Sequence, residues 1–329
     1  MEGLVKGEDL EKEICMSAFW AVVTGASRNY GAAIAAMFAR HFGAKNGVEE
    51  VHLTLLSRDE AGLERVKAMC EGGDRVTAAC EVANSEDIDR SDHETIRPSM
   101  YCRLDLADLE WLPERFRDVL EREQQTHGPF DHMYVFLNSG TLGAIVHIRD
   151  QTAAEVQTNM EVNLIAPTVI CSVLLQWLQQ QQPAATATRP VSSCRIVDIS
   201  SRAATGAYAG FNLYGLCKTG RAMLTKVITA ERQDELRGES HGGARVDVKT
   251  LSFAPGRMLT GMTLPVVENG CVNQAFTDEC RRLHATNGFL DPHVSTSRLM
   301  ALLDRDEFES GAFVSVGDKR QEWDDMDCP

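Results

Sequence analysis

The chain has 329 residues, 43% of them hydrophobic, which is enough for a large core. Lys and Arg total 33 against 48 for Asp and Glu, a formal net charge of -15. Such a surface repels phosphate backbones and anionic bilayers, which argues against nucleic acid or a membrane as partner.

Residues 1–18 carry no basic segment and no apolar run of the kind a signal peptide needs, so they read as an N-terminal tail. Residues 19–24 form a short apolar run ending at Gly25, which predicts a buried strand and a tight turn. A helix is expected over 31–42, a strand over 51–56, and a helix over 59–70 with Asp59 as N-cap. Val76 and residues 100–106 bracket a polar stretch, 84–98, which reads as a surface insertion, with Asp105-Leu106 following the third strand. A charged helix is expected over 108–125. A strand over 132–137 then ends at Asn138-Ser139-Gly140, and a long helix spans 152–182. The longest apolar stretch, 162–178, is interrupted by Asn163, Pro167, Ser172 and Gln176. It reads as a buried helix, too short and too polar to cross a bilayer. Residues 179–193 are of low complexity and 237–244 are polar and Gly-rich, and both read as loop insertions. Strands over 195–199, 246–253 and 312–316 and helices over 213–236 and 295–303 complete the pattern, followed by a tail at 319–329.

Strands alternate with helices, and most strands are continuous apolar runs. That pattern predicts an α/β, Rossmann-like, doubly wound parallel sheet of about seven strands with helices on both faces, in one domain over 19–318. Ten cysteines are scattered without a C-x-x-C pair or a Cys/His group at zinc-ligand spacing. Reduced thiols, a cytoplasmic protein and no metal site are expected.

The segment from Thr24 to Gly31 joins the first strand to the first helix. A turn that admits a pyrophosphate needs close backbone approach and free helix N–H groups. Gly25 and Gly31 meet that need, and Asn29, between them, is a residue type that tolerates positive φ. The second strand ends at Ser57-Arg58, without the carboxylate that takes ribose hydroxyls in NAD-binding turns. Arg58 and Arg28 would instead grip a 2′-phosphate. Two charge-assisted bonds of roughly 1.5–3 kcal/mol each would favour NADP(H) by about a hundredfold.

Tyr214 and Lys218 are four apart on a predicted helix and share a face. The strand before them ends at Ser200-Ser201, and Asn163 sits inside the preceding long helix. Carbonyl reduction needs a proton donor beside the hydride donor, which Tyr214 would be. The Lys218 charge is expected to lower the phenol's pKa toward working pH. Ser201 would hold the carbonyl oxygen, and Asn163 would disturb its helix and help hold a relay water.

Taken together, the first turn, Asp105-Leu106, Asn138-Ser139-Gly140, Asn163, Ser201, Tyr214, Lys218 and Pro255-Gly256 resemble the short-chain dehydrogenase/reductase superfamily. Within it the chain looks most like the sepiapterin reductase family, through Thr24-Gly25-Ala26-Ser27-Arg28, Gly140-Thr141-Leu142-Gly143 and the segment from Leu302 to Ala312. The resemblance implies NADPH bound by Gly25, Ser27, Arg28, Asn29, Tyr30, Gly31, Arg58 and Asp59, with Asp105 and Leu106 at the adenine. Asn138, Ser139 and Gly140 would lie on the ribose side, beside Tyr214 and Lys218. Pro255, Gly256, Met258 and Thr260 would cover the nicotinamide. It implies a small carbonyl substrate against Ser201, Arg202, Tyr214, Gly256, Met262 and Ser315, and a homodimer pairing the helices at 152–182 and 213–236. Reduction of a pterin side-chain ketone, in tetrahydrobiopterin synthesis, is the first expectation. Three positions differ from the family: Asn29 for Gly, Leu137 for Asn, and Ser315 for the pterin-anchoring Asp, with Asp318 nearby. A serine cannot make the charged two-point contact of a carboxylate. A general reductase of diketones or quinones is therefore the second expectation, and a non-catalytic NADP(H) sensor the third.

Overall fold

A computed structural model describes residues 17–71, 76–82, 104–180, 191–238 and 246–317. The tails at 1–16 and 319–329, the insertion at 84–98, Asp318, residues 100–103 and most of the two loop insertions lie outside the described residues.

The elements run β1 (Ser17–Thr24), α1 (Asn29–Gly43), β2 (Val48–Ser57), α2 (Glu60–Cys70), β3 (Val76–Val82), α3 (Leu112–His127) and β4 (His132–Leu137). They continue through α4 (Ala153–Met160), a π-helical segment (Glu161–Ile165), α5 (Ala166–Gln180), β5 (Ser193–Ile199), α6 (Asn212–Gly238) and β6 (Asp247–Ala254). The last elements are α7 (Leu264–Asn269), α8 (Gln274–Ala285), α9 (Pro292–Arg305) and β7 (Ala312–Ser315). The seven strands form one parallel sheet in the order β3-β2-β1-β4-β5-β6-β7. The order reverses between β1 and β4, the switch point at which ligands bind outside the carboxyl edge of such sheets.

The side-chain period of two explains why β1 reads as unbroken hydrophobicity. Phe19, Ala21 and Val23 face a core cluster shared with α1, α2 and α9. Trp20 and Val22 face the other cluster, shared with α3 and α5. Both faces are covered, so every residue from Trp20 to Val23 is fully buried.

The third strand is Val76–Val82, and Asp105 follows it, as expected, in a turn. Two expectations are corrected. Helix α3 begins at Leu112 rather than 108, because Pro113 suits a first turn and has no N–H to give further in. The long helix is not uniform: a π-helical turn centred on Asn163 separates α4 from α5. Helices α7 and α8, unpredicted, occupy the stretch between β6 and α9.

By length and composition, Ala153–Gln180 is long and apolar enough to cross a membrane, with a hydropathy of 1.5 in its most apolar window, contrary to the expectation from 162–178 alone. Half of that window is buried in the protein. Leu174 and Trp177 pack with Trp20 and Phe116 in one core cluster, which accounts for the apolar stripe. Trp20 lies 5.0 Å from Phe130 and 5.9 Å from Trp177 between ring centroids, and its Nε1 donates to Thr54 Oγ1 at 2.9 Å. Trp20→Ala should therefore lower unfolding free energy by about 3–5 kcal/mol, read as a shifted urea midpoint with little change in slope.

Candidate active site

A cleft of about 1840 Å³ opens along the carboxyl edge of the sheet. That is room for a dinucleotide and a small substrate together. Every cofactor or substrate residue expected from the sequence lines it, as do Ser201, Tyr214 and Lys218; Asn163 lies fully buried behind it.

At one end the turn after β1 is shaped for a phosphate. Gly25 has φ +66°, and its N–H donates to Leu56 O at 2.7 Å. A Cβ on Gly31 would stand 2.2 Å from Gly25 O, so only hydrogen fits there. Asn29 adopts φ 51°, the left-handed conformation expected of it. Helix α1 then starts without a side-chain cap at Arg28, which leaves its first N–H groups to face an anion. Ser57 Oγ donates to Ser27 Oγ at 2.9 Å, joining the first turn to the end of β2. Arg58 is 73% exposed, with Asp105 3.9 Å away as its loose partner. Asp59 accepts from Gly62 N at 3.0 Å, so its carboxylate caps α2 instead of meeting a ribose. Tyr30 contributes shape rather than its phenol, because the hydroxyl is tied to Ser295 Oγ at 3.0 Å and burial raises its pKa.

The loop after β4 is clamped from two sides. The Asn138 and Ser139 N–H groups donate to Thr24 Oγ1 at 2.9 and 3.1 Å. Asn163 accepts from Thr141 N at 2.8 Å and donates to Thr141 O at 2.8 Å and Asn159 Oδ1 at 2.7 Å. The π-helical turn aims the Asn163 amide at this loop, and those bonds use both of its N–H donors.

Ser201, at the end of β5, shares a hydrogen bond with the Tyr214 hydroxyl, and its oxygen also accepts from Ala203 N at 3.2 Å. Lys218, 3% exposed, donates to Ile199 O and lies 5.6 Å from the Tyr214 ring centroid. One electrostatic expectation is overturned. Burial pushes the Tyr214 phenol up, and the partial relief comes from Ser201 and Arg221, not from Lys218. The ammonium instead points at a backbone carbonyl. Burial and then Arg221 bring Lys218 down to about 7. Tyr214 is therefore protonated at neutral pH, the state a proton donor requires.

The substrate end is walled by Tyr208, Phe211 and Phe276, which the sequence analysis did not single out. Phe211 meets Phe276 edge-on at 4.8 Å, and Arg257 sits 5.3 Å over Phe276. Only their aromatic character could have flagged Tyr208 and Phe211, since the coil before α6 has no periodicity, while Phe276 lies on α8, which the sequence analysis did not predict. Ser315 lines the same end at 8% exposure, and Arg202 is exposed there. Cys217 is buried against Asn159 and Met160, as a core thiol is.

Two outcomes follow. Gly31→Ala should abolish saturable dinucleotide binding in a fluorescence titration while leaving the circular dichroism spectrum intact. Lys218 is charged below about 7 and loses its charge as pH rises through that value. The kcat/KM should fall above neutrality, and Lys218→Arg should move that limb to higher pH.

The short chain dehydrogenase family model matches residues 61–269. Sepiapterin reductase of Meriones unguiculatus is 27% identical over 304 residues, 90% of this chain and 95% of that protein. Benzil reductase ((S)-benzoin forming) of Bacillus cereus is 22% identical over 217 residues, 66% of this chain and 79% of that protein. Among solved structures, the KRED1-Pglu enzyme superposes with a TM-score of 0.65 at 21% identity, covering 90% of this chain and 99% of that one.

Proposed function

Because the chain belongs to the short-chain dehydrogenase family, we propose that it is an NADPH-dependent ketone reductase. The observation that carries this reading is the convergence of Ser201, Tyr214 and Lys218 in the cleft whose other end is the Gly25–Gly31 turn. When bound there, NADPH supplies the hydride. Arg28 and Arg58 hold the 2′-phosphate, a role that the turned-away Asp59 carboxylate does not oppose. Lys218 orients the nicotinamide ribose. Ser201 holds the carbonyl oxygen by hydrogen bond, and Tyr214 transfers its hydroxyl proton to that oxygen. Asn163 fixes the loop that walls the ribose.

The substrate of first choice is the side-chain ketone of a pterin such as sepiapterin, supported by similarity to sepiapterin reductases over 90% of this chain. A diketone is the second, favoured by Ser315 in place of a charged anchor and by similarity to benzil reductases. The protein acts as a cytoplasmic homodimer. Leu216, Met223 and Val227, 59%, 56% and 42% exposed, form an apolar stripe on α6 that a second copy would cover.

Oxidation of NADPH with sepiapterin and with benzil, each run beside NADH, tests the reading. Turnover should require NADPH. Tyr214→Phe should cost about 10²–10⁴ in kcat while NADPH still binds. Equal use of NADH, or full turnover by the phenylalanine variant, would sink the proposal.

A further inference from the structure

At the opposite edge of the sheet, β2 and α3 bring four metal-ligating side chains together. Glu50 and His52 are two apart on β2 and share a face. Glu123 and His127 are four apart on α3 and share a face of that helix. One ligand atom each from Glu50, His52 and His127 lie within 4.8 Å of one another. His52 is fully buried and Glu123 is 3% exposed, with His52 Nε2 2.6 Å from Glu123 Oε2. The His52 and His127 rings stack with centroids 4.2 Å apart and planes 21° from parallel. Glu50 and His127 are half-buried, so the group is reached from solvent. His52 is five residues along β2 from Ser57, roughly 16 Å at ~3.3 Å per residue, so the group is separate from the cofactor cleft.

We propose that Glu50, His52 and His127 form a site for a divalent transition-metal ion, zinc foremost, with Glu123 orienting His52 from behind. Two imidazoles and a carboxylate are the ligand types that suit zinc, and a water completes four-coordination. A carboxylate on the second nitrogen of a ligating histidine fixes its tautomer and raises its basicity, the role Glu123 takes at 2.6 Å. Metal–ligand bonds of about 2.0–2.2 Å draw the three atoms closer, which tilts the imidazoles out of their stack and staples α3 to β2.

The full-length chain, stripped with a chelator, is titrated with Zn²⁺ by calorimetry and with Co²⁺ by visible absorption. One ion per chain is expected, with the strong visible bands of four-coordinate Co²⁺ and a melting temperature a few degrees higher in saturating Zn²⁺. Glu123→Gln should weaken binding about 10–100-fold, and Glu50→Gln and His127→Ala by at least as much. Glu50→Gln is a near-isosteric change at a half-buried position, so it keeps the test open if the histidine variant fails to fold. Absence of stoichiometric binding, or binding that Glu50→Gln and Glu123→Gln leave unchanged, overturns the proposal. The cluster would then be a buried histidine–carboxylate pair and nothing more.

Discussion

The carboxyl edge of the sheet is organised around one buried ion pair, Asp198 with Arg221. Their side chains are each 1% exposed, and Arg221 Nη2 lies 2.5 Å from Asp198 Oδ1. Asp198 is on β5, three residues before Ser201, and Arg221 is on α6, three residues after Lys218. The guanidinium also donates to Leu137 O, at the end of β4, and to Ser139 O at 3.2 Å. One side chain thus joins β4, β5 and α6 under the residues proposed to do the chemistry. Burying both charges costs several kcal/mol per ion before their attraction is counted. The compensation is geometric. The loop that walls the cleft, the serine at the end of β5 and the Tyr214–Lys218 face of α6 cannot shift independently.

The same pair shapes the electrostatics above it. Lys218 is buried with Arg221 as a close cation, and Asp198 only partly offsets that repulsion. A lysine so placed holds its proton weakly until something else hydrogen-bonds the ammonium. At present Ile199 O takes that part. On the proposed reading, the ribose hydroxyls would join it, so cofactor binding would strengthen the charge that Tyr214 feels. The expected effect of lysine on the phenol would then belong to the complex and not to the free protein. In the free protein, burial controls the phenol and keeps it protonated.

What could be read from the sequence follows from what local pattern encodes. The strands β1 and β4 were legible because both faces of the sheet are buried there, so they are runs of apolar residues rather than alternations. The N-cap at Asp59 and the left-handed Asn29 were legible because each rests on the chemistry of one side chain. The π-helical turn was not legible as such. The apolar spacing of 152–182 continues through it, and the extra residue per turn is set by Asn163 reaching Thr141 across a fold-level contact. Helix α7 spans only six residues, too few to show a period, whereas α8 carries its own local signal, an Asn273 N-cap ahead of twelve helical residues. The His52–Glu123 contact joins residues 71 apart, and neither half looks unusual alone.

Net charge sets the far field of the protein, but the field at one turn is set locally. At a formal charge of -15 the far field repels polyanions. Yet screening confines each exposed charge to about 8–10 Å at physiological salt, so the cleft responds to its own lining. At its phosphate end stand the uncapped start of α1, Arg28 and Arg58, while Asp59 is occupied as a cap and Asp105 lies 3.9 Å from Arg58. The acidic excess elsewhere keeps other polyanions from the surface without weakening this one turn. On the proposed reading, affinity for the cofactor's phosphates comes from where the few cations stand, not from how many there are.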